Sequence, residues 1–142
     1  MARTTFNGPV VSQNGFIGGH QVASANAVNA TGTASAAQVA TGYITSTSAS
    51  PTTITLPTGT DLGTAIGAVQ GTTLDLYIDN TGGASTVTVA VNTNAILSTG
   101  AVDAAAAAGT FGDLTIASGA TGIGRFTLMF SSPTAYVFTR TA

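Results

Sequence analysis

Between Thr72 and Asn80 the chain reads TTLDLYIDN, and its apolar and polar residues alternate without a fault. Leu74, Leu76 and Ile78 fall on one side and Asp75, Tyr77 and Asp79 on the other. That period of two marks a strand with one face in a core and one face wet. Gly71 precedes the strand, and Asn80-Thr81-Gly82-Gly83 follows it with residues that tolerate positive φ and so can reverse the chain. Directly beyond, STVTVAV sets Val87, Val89 and Val91 against Thr86, Thr88 and Ala90. Two alternating segments joined by a Gly-rich turn predict a β-hairpin.

The same pattern recurs on both sides of this pair. GYITSTSAS places Tyr43, Thr45 and Thr47 on one face and Ile44 and Ser46 on the other. After Pro51, TTITL aligns Thr52, Ile54 and Leu56, and Pro57 closes the strand because proline cannot donate to a ladder. Leu62, Ala65, Ile66 and Val69 then recur at helical spacing, which predicts one short helix. Thr60 or Asp61 can cap its start and Gly71 its end, although Gly63 and Gly67 each weaken it by roughly 1 kcal/mol relative to alanine. Ala95 to Leu97 and the stretch through Leu114 and Ile116 add brief strands, with the loop VDAAAAAGTFGD between them. A second, more aromatic hairpin ends the chain: Phe126, Leu128 and Phe130 align in one strand, Tyr136 and Phe138 in the next, with a turn at Ser131-Ser132-Pro133.

Residues 1–37 differ in texture. Phe6, Val10, Val11, Phe16 and Ile17 stand in two clusters separated by Asn-Gly and Gly-Gly pairs, before the chain runs into Ala, Asn, Ser, Thr and Gly. Too few periodic apolar positions exist there for a separate core. A frayed terminus would carry such a composition, but a solvated tail gains nothing from five bulky apolar residues. The reading adopted is an extended N-terminal arm over 1–37 and an all-β domain over 38–142. Seven or eight short strands with turn signals at intervals of roughly ten residues point to a small β-sandwich or jelly-roll-like domain with one short helix.

Composition changes this picture in one respect. Of 142 residues only 6% are charged, against roughly a quarter in an ordinary soluble protein. Lysine, glutamate, cysteine and tryptophan are absent; the charges are Arg3, Arg125 and Arg140 against Asp61, Asp75, Asp79, Asp103 and Asp113. A free monomer keeps itself dispersed with surface charge, so so little charge implies a surface hidden in a permanent assembly; a Thr/Ser-coated soluble surface is the plainer alternative. Three scattered arginines and a net charge of -2 make no basic patch, so neither nucleic acid nor an anionic membrane is an expected partner. The first residues show no apolar signal core, and no apolar run nears the roughly twenty residues that span a bilayer.

Candidate chemistry is sparse. His20 is the single histidine, which excludes a multi-histidine metal site and leaves no second imidazole for acid–base work. Asp75 and Asp79 share a strand face but stand roughly 13 Å apart, beyond the spacing of paired glycosidase carboxylates. They read as solubilising charges. The glycines at 119, 122 and 124 have no lysine to complete a phosphate-binding loop and lead into a strand, and no G-x-S-x-G elbow occurs. Asn29-Ala30-Thr31 is formally a glycosylation sequon, and a calcium site at Asp79 and Asn80 lacks a further nearby carboxylate. No enzyme activity and no cofactor are expected.

The order of elements carries a resemblance. ITLPTGTDLGTAIGAVQGTTLDLYIDNTGGASTVTVAV, followed after a loop by LTIASGATGIGRFTLMFSSPTAYVFTRTA, resembles small capsid decoration (cement) and head-fibre proteins of tailed bacteriophages. The shared succession is a strand ending in L-P, a short helix, a strand ending in N-T, a Val/Thr strand, an I-A-S-G approach to a strand carrying R-F, and a closing aromatic strand. It spans about Thr52 to Thr141. The resemblance implies a virion structural protein on the outer capsid surface, made in the host cytoplasm, which binds the major capsid protein as a homotrimer and stabilises the head. Phe6, Val10, Val11, Phe16 and Ile17 are then the expected capsid-contacting anchors. The alternative is a head-fibre or tail-fibre tip that binds host glycans through outer loops at 80–84 and 103–113, including Asn80, Thr81, Asp103 and Phe111.

Overall fold

Strands form where the period-two pattern is strongest, and the computed structural model describes them over residues 26–97 and 114–141. In chain order the elements are β1 (Gly32–Thr33), α1 (Ala36–Ala40), β2 (Tyr43–Thr45), β3 (Thr52–Thr55), α2 (Gly59–Ile66), β4 (Thr73–Asp79), β5 (Val87–Ala90), β6 (Ala95–Leu97), β7 (Thr115–Ile116), β8 (Ile123–Ser132) and β9 (Ala135–Arg140). They make two mixed sheets, one ordered β1-β3-β5-β7 and the other β2-β4-β8-β9-β6. From β1 to β8 the chain changes sheet at every step. β1, β3 and β5 pair in parallel, as do β2 with β4 and β6 with β9, whereas β7 joins β5 and β8 joins β4 antiparallel.

The hairpin predicted for residues 72–91 therefore does not form. β4 pairs with β2 and, from Thr73↔Met129 to Asp79↔Ile123, antiparallel with β8; β5 pairs with β3 and β7 in the other sheet. Leu76 and Ile78 of β4 and Val87 and Val89 of β5 enter one hydrophobic cluster from the two sheets. A half-buried strand is satisfied equally by a hairpin partner or by facing inward from another sheet, so local pattern does not separate the two arrangements. The final hairpin does form. β8 and β9 pair antiparallel, with an irregularity between Phe130 and Ser132 and with Pro133 and Thr134 at the turn. Its inward side chains Phe126, Leu128, Phe130, Tyr136 and Phe138 are fully buried. Phe126 meets Phe138 edge-on at 6.3 Å, and Phe130 lies tilted against Tyr136 at 5.3 Å. The Tyr136 hydroxyl donates to the Pro57 carbonyl at 2.8 Å, and burial pushes the ionisation of that phenol far up.

Two α-helices are present among the described residues where one helix was predicted. α1 is short, yet Ser35 and Gln38 close a capping box on it: Ser35 Oγ accepts from the Gln38 amide and Gln38 Oε1 from the Ser35 amide. The start of α2 is capped by Thr58, not Thr60 or Asp61, and its end by Gly67 in the left-handed conformation, not Gly71. Gly71 instead turns the chain into β4, donating to the Phe130 carbonyl at 2.8 Å. Residues 26–37, assigned to the arm on sequence grounds, are joined to the domain. Asn26 Nδ2 reaches the Gln38 and Tyr43 carbonyls at 2.9 Å each, Ala27 bridges Thr45, β1 pairs with β3, and Ala34 is buried. Backbone pairing of this kind needs no apolar periodicity, which is why composition missed it. The expected anchors Phe6, Val10, Val11, Phe16 and Ile17 lie outside the described residues.

Gly63 shows why α2 tolerates its glycines. A β-carbon at Gly63 would collide with the Pro133 carbonyl oxygen, so the bare backbone lets the helix lie against the closing turn of the final hairpin. Helix propensity favours alanine over glycine by about 1 kcal/mol. Overpacking a well-fitted site costs typically about 1–3 kcal/mol, so packing wins. Because the collision is with backbone, the cost falls at the upper end of that range, and Gly63→Ala is expected to lower stability by about 2 kcal/mol in urea unfolding; an unchanged or raised midpoint would show that the helix does not depend on this close approach.

Candidate functional site

The outward face of the five-stranded sheet is built by the polar phase of β4 and its neighbours. Register places Tyr43, Tyr77 and Arg125 in one row across β2, β4 and β8. Thr45, Asp79 and Ile123 form the next row; Asp75 with Thr127, and Thr73 with Met129, form those on the other side. The opposite phase of the same strands, from Ile44 through Leu76 and Ile78 to Phe126 and Leu128, is in the core.

This face is unusual in what it exposes. Six large hydrophobic side chains are exposed among the described residues, and four of them, Tyr43, Tyr77, Ile123 and Met129, stand here. A position in the polar phase of a strand is ordinarily filled by a polar residue, so such clustering marks a surface suited to contact. Its carboxylates are already paired with neighbouring groups, while Arg125 Nε is buried without a hydrogen-bond partner. Arg125 Nη2 lies 2.6 Å from Asp75 Oδ2, and Thr127 Oγ1 donates to Asp75 Oδ1 at 2.7 Å. The Arg125 guanidinium carbon sits 5.6 Å from the centre of the Tyr77 ring, within cation–π range. Tyr43 OH donates to Asp79 Oδ2 at 2.7 Å, while the Thr81 hydroxyl and amide hold Asp79 Oδ1 at 2.6 and 2.9 Å.

These contacts fix protonation. The Arg125 hydrogen bond, with that of Thr127, holds the Asp75 carboxyl below the usual range, and the Thr81 hydroxyl with Tyr43 does the same for Asp79. Hydrogen bonding to the charged Asp79 pushes the Tyr43 phenol up. Asp75 and Asp79, expected as solubilising charges, are thus parts of two hydrogen-bonded clusters. The arrangement offers recognition chemistry: aromatic faces, a partly exposed guanidinium and bound carboxylates. No group of three or more His, Asp or Glu side chains that could hold a metal occurs among the described residues, and no helix among them is long and apolar enough to cross a membrane.

Asn80 needs correction as a residue of an exposed loop. It is fully buried, and its side chain donates to the Ser85, Ile116 and Ala117 carbonyls at 2.8, 3.3 and 2.9 Å. A β-carbon at Gly83 would collide with Asn80 Oδ1, and one at Gly122 would come within 2.8 Å of the Asn80 carbonyl. The Asn-x-x-Gly turn is therefore a filled corner where the chain leaves one sheet for the other. Thr81 beside it is exposed, with its hydroxyl bound to Asp79. Asp103 and Phe111, proposed with them, lie outside the described residues. Sequence reasoning overlooked Tyr43, Tyr77, Arg125, Ile123 and Met129; the available signal was the presence of bulky side chains on the wet phase of three neighbouring strands.

No family model, curated protein or solved structure matches the chain.

Two outcomes are expected from this geometry. Asn80→Ala removes the donor from buried carbonyls, each unpaired group costing roughly 1–3 kcal/mol, so a loss of at least about 2 kcal/mol should appear in urea unfolding; a loss below half of that would show that the corner holds without the amide. Because Asp75 and Asp79 titrate lower in the folded than in the unfolded chain, the stability they add is present above the unfolded value near about 4 and lost as pH falls through their folded values. Urea midpoints should drop from about pH 5 to about pH 2, and Asp75→Asn should flatten that dependence; an identical slope in the variant would exclude Asp75 as a contributor.

Proposed function

We propose that this chain is a virion structural protein that decorates and stabilises the outer surface of a bacteriophage head by binding the major capsid protein as a symmetric oligomer. The observation that carries the proposal is the outward sheet face with Tyr43, Tyr77, Ile123 and Met129 on a chain that is only 6% charged. Tyr, Met and Arg are enriched at protein contacts, where charge is depleted, and many modest contacts repeated over a symmetric shell act together. The resemblance of residues 52–141 to decoration and head-fibre proteins supports the same assignment, and with it a non-enzymatic role, a location on the outer capsid and an oligomer of three. In this reading the two mixed sheets are the layers of a small β-sandwich, and the N-terminal arm reaches the capsid through Phe6, Val10, Val11, Phe16 and Ile17.

A fibre-tip role in glycan binding is the second reading, and Tyr43 beside Tyr77 is the observation that favours it, since sugars stack on exposed aromatic rings. Such a site would lie on the sheet face, because the buried Asn80 is not accessible to a ligand.

Co-sedimentation with expanded heads lacking decoration tests the principal reading. The full chain should pellet with heads and raise their resistance to heat or low salt, and deletion of residues 1–20 should abolish pelleting while leaving a folded oligomer. Failure of the full chain to pellet sinks the decoration role; unchanged pelleting of the deletion variant sinks the role of the arm.

A further inference from the structure

We infer that the outward face of the β2-β4-β8-β9-β6 sheet is the surface through which copies of this chain contact one another. This rests on the oligomer in the reading above and names the surface that forms it.

Three observations select a second copy as the occupant. The first is polar satisfaction: Tyr43 pairs with Asp79, and Asp75 with both Arg125 and Thr127, within the face itself. Burying groups that already have partners costs far less than burying open ones, which suits contact with another protein surface. The second is charge. Asp79 is ionised and makes no ion pair with a cation among the described residues, while Arg125 uses one nitrogen for Asp75 and keeps its side chain 42% exposed. Arg125 of one copy has the reach to bridge its own Asp75 and the Asp79 of a neighbour, since a guanidinium carries five donors in a fork. The acidic positions of β4 and the basic position of β8 are thus complementary parts of the same surface.

The third is size. β4 has seven residues and the sheet five strands. The five strands together hold 29 residues, so at ~3.4 Å per residue and ~4.8 Å per strand the face measures on the order of 470 Å² in projection. Side-chain relief raises the accessible area above that figure, toward the roughly 800 Å² per partner of a stable contact. Packed against copies around a symmetry axis, the face also buries the one cluster of exposed Tyr, Ile and Met side chains in the described residues.

Light scattering on the full chain, wild type against Tyr77→Asp and Met129→Asp, provides the first measurement. The wild type is expected at a multiple of the 13.8 kDa chain mass, and each variant at a single chain mass with unchanged far-ultraviolet β signal. Because the natural chain has no cysteine, Met129→Cys and Thr60→Cys give a second measurement that does not depend on disrupting the contact. Maleimide should label Thr60→Cys on the exposed side of α2 rapidly and Met129→Cys several-fold more slowly. A monomeric wild type, an oligomer whose mass both aspartate variants leave unchanged, or equal labelling at the two cysteines would overturn the inference. Equal labelling in an intact oligomer would return the face to an external ligand. An oligomer formed through this face that fails to pellet with heads leaves the inference standing and removes the decoration role; a monomer that does pellet does the reverse.

Discussion

A buried amide governs how the two sheets are joined. Asn80 directly follows β4 of the five-stranded sheet, yet its side chain donates to the carbonyls of Ile116 in β7 and of Ser85 and Ala117 beside the other sheet. Buried carbonyls without donors are expensive, so a corner that supplies them from one side chain is strongly specified. Gly83 leaves the space that the amide occupies, and Gly122 leaves room for the main-chain carbonyls of Asn80 and Ala117. Arg140 adds a second tie between sheets from the far end of the chain, donating from β9 to the Thr115 carbonyl at 2.7 Å.

Because the chain crosses at such corners, strands separated by a visit to the other sheet become neighbours: β1, β3 and β5 lie side by side in parallel, while β7 returns beside β5 antiparallel. These contacts are far apart in sequence and cannot be nucleated by a local turn. The β8–β9 hairpin is the exception: it is local, aromatic and long, and it sits centrally in its sheet next to β4. α2 then lies against its closing turn through Gly63. The last hairpin is thus the platform on which both the core and the outward face are assembled.

The outward face combines two properties that rarely meet on a solvated sheet. It exposes bulky side chains, and its few charges are neutralised or hydrogen-bonded by immediate neighbours. Water gains little from solvating groups that already have partners, so the energetic barrier to covering this surface is small. A chain with no lysine and no glutamate has few other means of keeping such a face open.

Within the strands local periodicity determined which way the side chains point, while Val91, past the end of β5, escaped it and is exposed. Ile44, Ile54, Leu56, Leu76, Ile78, Val87, Val89, Phe126, Leu128 and Phe130 are buried on the faces that alternation assigned to them, because the pleat of a strand fixes facing residue by residue. The final hairpin was legible for a similar reason, its partners being adjacent in the chain. Tertiary structure alone decided which strands pair elsewhere, since a period of two is silent about partners. It also converted Asn80 from a turn residue into a buried tie, moved the cap of α2 to Thr58, and drew residues 26–37 into the domain through backbone and amide hydrogen bonds. The outward face was hidden in the sequence because Tyr43, Tyr77, Arg125, Ile123 and Met129 come from three separated segments, and only the pairing register of β2, β4 and β8 makes them neighbours.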